Sequence, residues 1–143
     1  MEWSETNKQL YSAACNFLSR REYGRQELIG KLEQKFECPI KNILDVMDFL
    51  RDKNFQSDAR YASSLVRSKF NKFYGPSYIR QCGFVKGVSS NLIEDNMSEL
   101  DFEQKCFELA EKFRHFPEIK LKRKLIQKGF SYRQVSEALK KLA

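Results

Sequence analysis

Two glycines followed by the same apolar offsets constrain this chain more than any other feature. After Gly87, Ile93, Met97 and Leu100 fall at +6, +10 and +13, and after Gly129, Val135, Leu139 and Leu142 fall at the same offsets. Ile79 and Leu121 each lie eight residues before their glycine. Spacings of three and four residues mark one face of an α-helix. Glycine takes the positive φ of a helix C-terminal stop without a side-chain penalty. Each glycine therefore ends one helix, and Ser89 or Ser131 is placed to cap the next. Ser131 and Gln134 also have capping-box spacing. The first third of the chain follows this register less closely: Phe36 occupies the glycine position, and Ile43, Met47 and Leu50 come one residue late. Recurrence over roughly 40 to 50 residues reads as a duplicated helical unit.

The remaining segments complete three triplets. Leu10, Tyr11, Ala14, Cys15, Phe17 and Leu18 share a helix face behind a Thr6–Gln9 capping box. Leu28, Ile29 and Leu32 mark a short second helix, and Pro39 suits the first position of a third. Ser57 or Asp58 caps the helix of Tyr61, Ala62, Leu65, Val66 and Phe70. Gly75 and Pro76 break the chain and restart it with Tyr78, Ile79, Cys82 and Val85. Phe102, Cys106, Leu109, Ala110 and Phe113 form another helix face, and Pro117 restarts the chain before Leu121 and Leu125. Six Gly and three Pro are too few for the turns of a sandwich or barrel, while 41% hydrophobic residues suffice for a core. The expected fold is all-α, with three three-helix repeats at 1–55, 56–100 and 101–143.

Charge is unevenly spread. The net charge is +7, and the three repeats carry 0, +2 and +5 in order. No acid lies between Asp58 and Glu94, a stretch holding Arg60, Arg67, Lys69, Lys72, Arg80 and Lys86 among Tyr61, Phe70, Phe73, Tyr74, Tyr78 and Phe84. A second acid-free run, Ile119 to Ser136, holds Lys120, Lys122, Arg123, Lys124, Lys128 and Arg133. Basic groups neutralise phosphates and aromatic rings offer faces to bases. An acidic protein partner would use the same charges without needing the rings. Tyr61 and Phe70 fall on the apolar face and read as core, whereas Phe73, Tyr74 and Tyr78 crowd the break at Gly75 and read as partly exposed. The segment 120–142 also has the outline of a helix-turn-helix. The same turn recurs at Lys86–Ser89, however, so a packing repeat explains it more economically.

Catalysis finds little support. The four cysteines, Cys15, Cys38, Cys82 and Cys106, are separated by 23, 44 and 24 residues, so no Cys-x-x-Cys pair starts a zinc site. All but Cys38 sit in apolar register and read as small core residues. The single histidine, His115, stands at a helix junction. No glycine-rich phosphate loop occurs, and Asp45/Asp48 and Glu94/Asp95 lie on exposed faces beside basic neighbours. No cofactor or metal is expected. An acidic N-terminus and the lack of a ~20-residue apolar span lead us to expect a cytoplasmic protein without a membrane partner.

Against this background, the runs FLRDKNFQSDARYA (49–62), YGPSYIRQ (74–81) and KGVS (86–89) resemble the bacterial RecX regulatory family. RQELIGKL (25–32) and LKRKLIQKGFS (121–131) are similar to its flanking repeats. The resemblance implies three tandem three-helix repeats in a curved, elongated molecule. It also implies a modulator, usually an inhibitor, of the RecA recombinase, lodged in the groove of the RecA–DNA filament and able to bind DNA itself. The expected partners are thus RecA filaments and single-stranded or double-stranded DNA, engaged by a monomer. The expected surface comprises Arg60, Arg67, Lys69, Lys72, Tyr74, Tyr78, Arg80, Lys86, Lys120, Lys122, Arg123, Lys124 and Lys128. A stand-alone DNA-binding module without a recombinase partner is the alternative.

The sequence departs from the family pattern at Cys82 and Gly83, where a polar residue and then Leu are usual. Gly83 is expected to remove a core side chain, with Phe84 turning inward to compensate. Phe36 replaces the small residue that usually ends the second helix, and the N-terminal segment is short.

Overall fold

The computed structural model describes residues 2–143. Among them are nine α-helices and no strands: α1 (Glu5–Arg20), α2 (Arg25–Lys35), α3 (Ile40–Asp52), α4 (Asp58–Asn71), α5 (Pro76–Val85), α6 (Ser90–Met97), α7 (Phe102–Lys112), α8 (Glu118–Gln127) and α9 (Tyr132–Leu142). The chain forms two compact units. Unit 1 comprises residues 1–62 with Lys86–Val88, and unit 2 comprises Ser63–Val85 with Ser89–Ala143.

Unit 1 buries Leu10, Ala14, Leu28, Leu32, Ile43, Val46, Met47 and Leu50 between α1, α2 and α3. Each of the larger aliphatic side chains among them contributes roughly 1.5–3 kcal/mol on burial. Ser4, rather than Thr6, caps α1: its hydroxyl accepts from the Asn7 amide at 3.2 Å, so the Thr6–Gln9 box does not form. Thr6 already lies inside the helix. Pro39 is the residue before α3 and not its first member. At the start of α4 the Asp58 carboxylate accepts from the Arg25 amide at 2.8 Å and from buried Gln56 at 3.0 Å. Ser57 caps α4 by accepting from the Arg60 amide at 3.2 Å.

In unit 2, α9 packs chiefly against α7. Ile79, Ile93, Cys106, Leu109, Leu121, Leu125, Phe130 and Val135 are buried. Gly129 has φ +104° and ends the turn after α8, and Ser131 and Gln134 form the expected reciprocal cap of α9. Ser89 is the N-cap residue of α6, but its side chain makes no capping hydrogen bond.

The expectation for Gly83 and Phe84 is corrected. Gly83 is buried, and a Cβ there would lie 2.7 Å from the Ile93 side chain, so Ile93 fills the space a larger residue would occupy. Phe84 is 80% exposed and does not turn inward. Among the cysteines only Cys106 is fully buried, and burial pushes its thiol up to about 12. Cys15, Cys38 and Cys82 are half-buried, so the reading of Cys15 and Cys82 as core residues holds only in part.

Candidate functional site

The positive surplus belongs almost entirely to unit 2, which holds 15 Lys and Arg against nine Asp and Glu, a surplus of six out of seven. Its α4–α5 turn is built by a left-handed residue. α4 runs out at Asn71, and Phe73 adopts φ +67°, with its amide donating to the Phe70 carbonyl and that of Tyr74 to the Lys69 carbonyl, both at 3.0 Å. A bulky residue in this region costs roughly 1–2 kcal/mol and persists only where its surroundings hold it. The turn then docks on the end of α8: the Gly75 amide donates to the Lys128 carbonyl at 2.7 Å, and Ser77 to the Gly129 carbonyl at 3.1 Å.

This docking assembles a band of rings and ammonium groups. Tyr74 and Tyr78 stack with centroids 3.9 Å apart and planes 13° from parallel. Lys128 approaches the Tyr74 ring at 4.3 Å, and Lys69 lies 5.8 Å from Tyr74 and 5.9 Å from Tyr78. Phe73 receives Lys105 at 4.5 Å and Lys112 at 4.0 Å. Beyond it, Lys124 approaches Phe113 at 4.4 Å and Lys120 approaches Phe116 at 4.9 Å. Among the described residues, none of these six lysines has a carboxylate within ion-pair distance. Each ring face attracts an ammonium by about 0.5–1 kcal/mol, which orders the lysines without neutralising them. The resulting arrangement suits a polyanion: phosphates take the charges, and the half-buried rings present surfaces to bases.

The sequence-selected residues separate into three groups. Lys69, Tyr74, Tyr78, Lys120, Lys124 and Lys128 belong to the band. Arg67, Lys72 and Arg123 are exposed members of unit 2 without an acidic partner among the described residues, Arg67 reaching only the Ser63 hydroxyl at 3.4 Å. The other four are engaged by acids. Arg60 in unit 1 donates to Glu22 at 2.8 Å and to the Asn54 side chain and carbonyl at 3.0 and 2.9 Å. Lys86 in unit 1 meets Glu27 at 3.1 Å, Arg80 forms a two-pronged pair with Glu94, and Lys122 lies 3.6 Å from Glu118.

Glu27 anchors the unit 1 cluster. Burial opposes its ionisation, but hydrogen bonds from Arg21 and Lys86 outweigh that and hold its carboxyl below the usual range. Burial, with the Glu27 charge beside it, pushes the Tyr61 hydroxyl up to about 12. Tyr61 is core, as expected.

Lys105, Lys112, Phe113 and Phe116 are members of the band that a search for acid-free runs misses. Lys105 and Lys112 alternate with Glu103, Glu108 and Glu111 along α7, and only the fold brings them to Phe73.

Proteins of similar sequence and structure share this architecture. The model of the RecX second three-helix domain matches residues 57–97. Proteins named Regulatory protein RecX from Acinetobacter baylyi and Haemophilus influenzae are 32% and 35% identical over 104 and 102 residues, covering 73% and 71% of this chain. Those matches span 65% of each relative's length. The one from Chromohalobacter salexigens is 31% identical over 134 residues, 88% of both chains. The crystal structure of RecX from Lactobacillus salivarius superposes with a TM-score of 0.83 at 28% identity, covering 95% of this chain and 96% of that one. Similarity of this extent shows that the chain belongs to the RecX family.

Proposed function

We propose that this protein binds RecA recombinase filaments on DNA and inhibits recombination, repair and SOS activity. The observation that carries the reading is the band of six unneutralised lysines ordered on Tyr74, Tyr78, Phe73, Phe113 and Phe116. Such a surface fits the phosphate backbone and splayed bases of single-stranded DNA, with duplex DNA as a weaker partner. Membership of the RecX family supports a nucleoprotein filament as the target of this chemistry. The protein works by occupancy, as a cytoplasmic monomer without cofactor or catalytic step. We assign the three helical repeats to 1–55, 56–100 and 101–143, with DNA and filament contacts drawn from the second and third.

The test is a titration into RecA filaments on single-stranded DNA, following ATP hydrolysis and strand exchange. Suppression at substoichiometric protein is expected, and unaltered RecA activity at saturation would overturn the reading. The same titration into bare DNA at two salt concentrations addresses a second reading, a DNA-binding module without a recombinase partner. The lysine–aromatic chemistry of the band favours that alternative equally well. Tight, salt-steep DNA binding with indifference to RecA would establish it.

A further inference from the structure

Away from the band, α8 and α9 leave an open groove of about 530 Å³ within unit 2. Ile126, Val135 and Leu139 form its apolar lining. Tyr132, Val135, Ser136, Leu139 and Lys140 recur at the three- and four-residue spacing that places one stripe of α9 along the groove, and Ala143, just beyond the helix, ends it. Tyr132 is 82% exposed, and Ile119 on α8 is 74% exposed, so apolar surface extends beyond the groove as well. Scattered apolar side chains need no explanation on a soluble protein, but here they adjoin a shaped concavity. From Tyr132 to Ala143, the residue after α9, the stripe runs roughly 16 Å, about three turns of a second helix laid beside it.

Charge selects the occupant. The groove carries Lys122 and Lys140 against one acid, Glu118. Among the described residues their ion-pair partners are Glu118 and Glu137, each 3.6 Å away and beyond hydrogen-bond distance. Both ammonium groups therefore retain donors for a stronger acceptor. The unit around them carries a surplus of six positive charges.

We propose that this groove is a docking site for an acidic amphipathic helix of a partner protein. The partner would lay leucine-like side chains on Ile126, Val135 and Leu139 and set its carboxylates against Lys122 and Lys140. This is the helix-in-groove mode of recognition, with apolar anchors giving affinity and flanking charge giving selection. The site is separate from the lysine–aromatic band and does not depend on the recombinase reading.

The test uses the full chain and a fluorescein-labelled 16-residue peptide with leucines at i, i+3, i+4 and i+7 and glutamates on its other face. Anisotropy should show saturable binding with one-to-one stoichiometry. A scrambled peptide, or one with lysines replacing the glutamates, should bind at least tenfold more weakly. Ser136→Trp, at an exposed position that obstructs the groove, should weaken binding at least tenfold while the helical circular dichroism stays unchanged. The exposed double substitution Lys122→Glu/Lys140→Glu should do the same. Equal affinity for the scrambled peptide, or unchanged affinity in both variants, would overturn the proposal. So would either of two other occupants: phosphatidylglycerol vesicles that bind through Ser136 when the peptide does not, or a dimer in sedimentation that Ser136→Trp dissolves.

Discussion

The Gly75 amide donates to the Lys128 carbonyl at 2.7 Å and, with the Ser77 amide on the Gly129 carbonyl, holds the α4–α5 turn against the end of α8. The backbones approach too closely there for a side chain: a Cβ on Gly75 would lie 2.5 Å from the Phe130 amide nitrogen. Gly75→Ala should therefore force the turn off α8 and destabilise the protein by roughly 1–3 kcal/mol, the usual range for overpacking. Urea denaturation would read this as a lower midpoint with an unchanged slope.

Lys69 and Lys128 share the Tyr74 ring and have no acidic partner among the described residues. If both neutralise phosphates, Lys69→Ala/Lys128→Ala should lower the slope of log K against log salt for single-stranded DNA by about 1.4, at about 0.7 per lost contact. Anisotropy across a salt series checks it.

Tyr78→Ala should weaken single-stranded DNA binding by about 1–3 kcal/mol, the worth of one stacked base, with the same salt slope as the parent. Tyr74 is the poorer platform, because it carries Tyr78 on one face and Lys128 over the other. The contrast with the lysine variants separates stacking from charge in one set of titrations.

Arg60→Ala should behave differently. Its guanidinium is engaged by Glu22 and Asn54 within unit 1. We expect a stability loss on the order of 1 kcal/mol for this partly exposed pair and less than a twofold change in DNA affinity. A large affinity loss with unchanged stability would return Arg60 to the binding surface.

Glu27 supplies a pH signature. Its folded carboxyl titrates below the ordinary value of 4.5, so its contribution to stability is fully present above that value. The contribution is lost as pH falls below 4.5 and through the lower folded value. Glu27→Gln should be less stable than the parent at neutral pH and should flatten the acid limb of a plot of urea midpoint against pH.

How legible each feature was in the sequence follows from the range of the interactions that make it. Gly129, Ser131 and Gln134 form a stop and a cap within six residues, and the structure contains both. Thr6 and Gln9 had the same capping spacing, but Ser4 lay two residues earlier and began the helix first. Gly83 looked like a missing side chain because Ile93, its neighbour in space, is ten residues away. The acid-free stretch around Arg60 and Lys86 was real along the chain. Glu22 and Glu27 reach it across 38 and 59 residues, and no local window contains such pairs. Lys105 and Lys112 show the converse, since acids surround them along α7 while rings surround them in the fold. Helices and their ends are short-range events, whereas the charge of a surface is decided by partners that only folding brings together.

Unit 1 is drawn from two stretches of chain, 1–62 and Lys86–Val88, with residues of unit 2 between them. Gly87 adopts φ +71° against Gln26, Val88 is buried, and Lys86 binds Glu27. During synthesis, then, the N-terminal unit is not complete when its first 62 residues have emerged. It acquires its last pieces only once α5, already part of the other unit, has left the ribosome. The order of manufacture thereby binds the maturation of the nearly charge-balanced unit to that of the basic one.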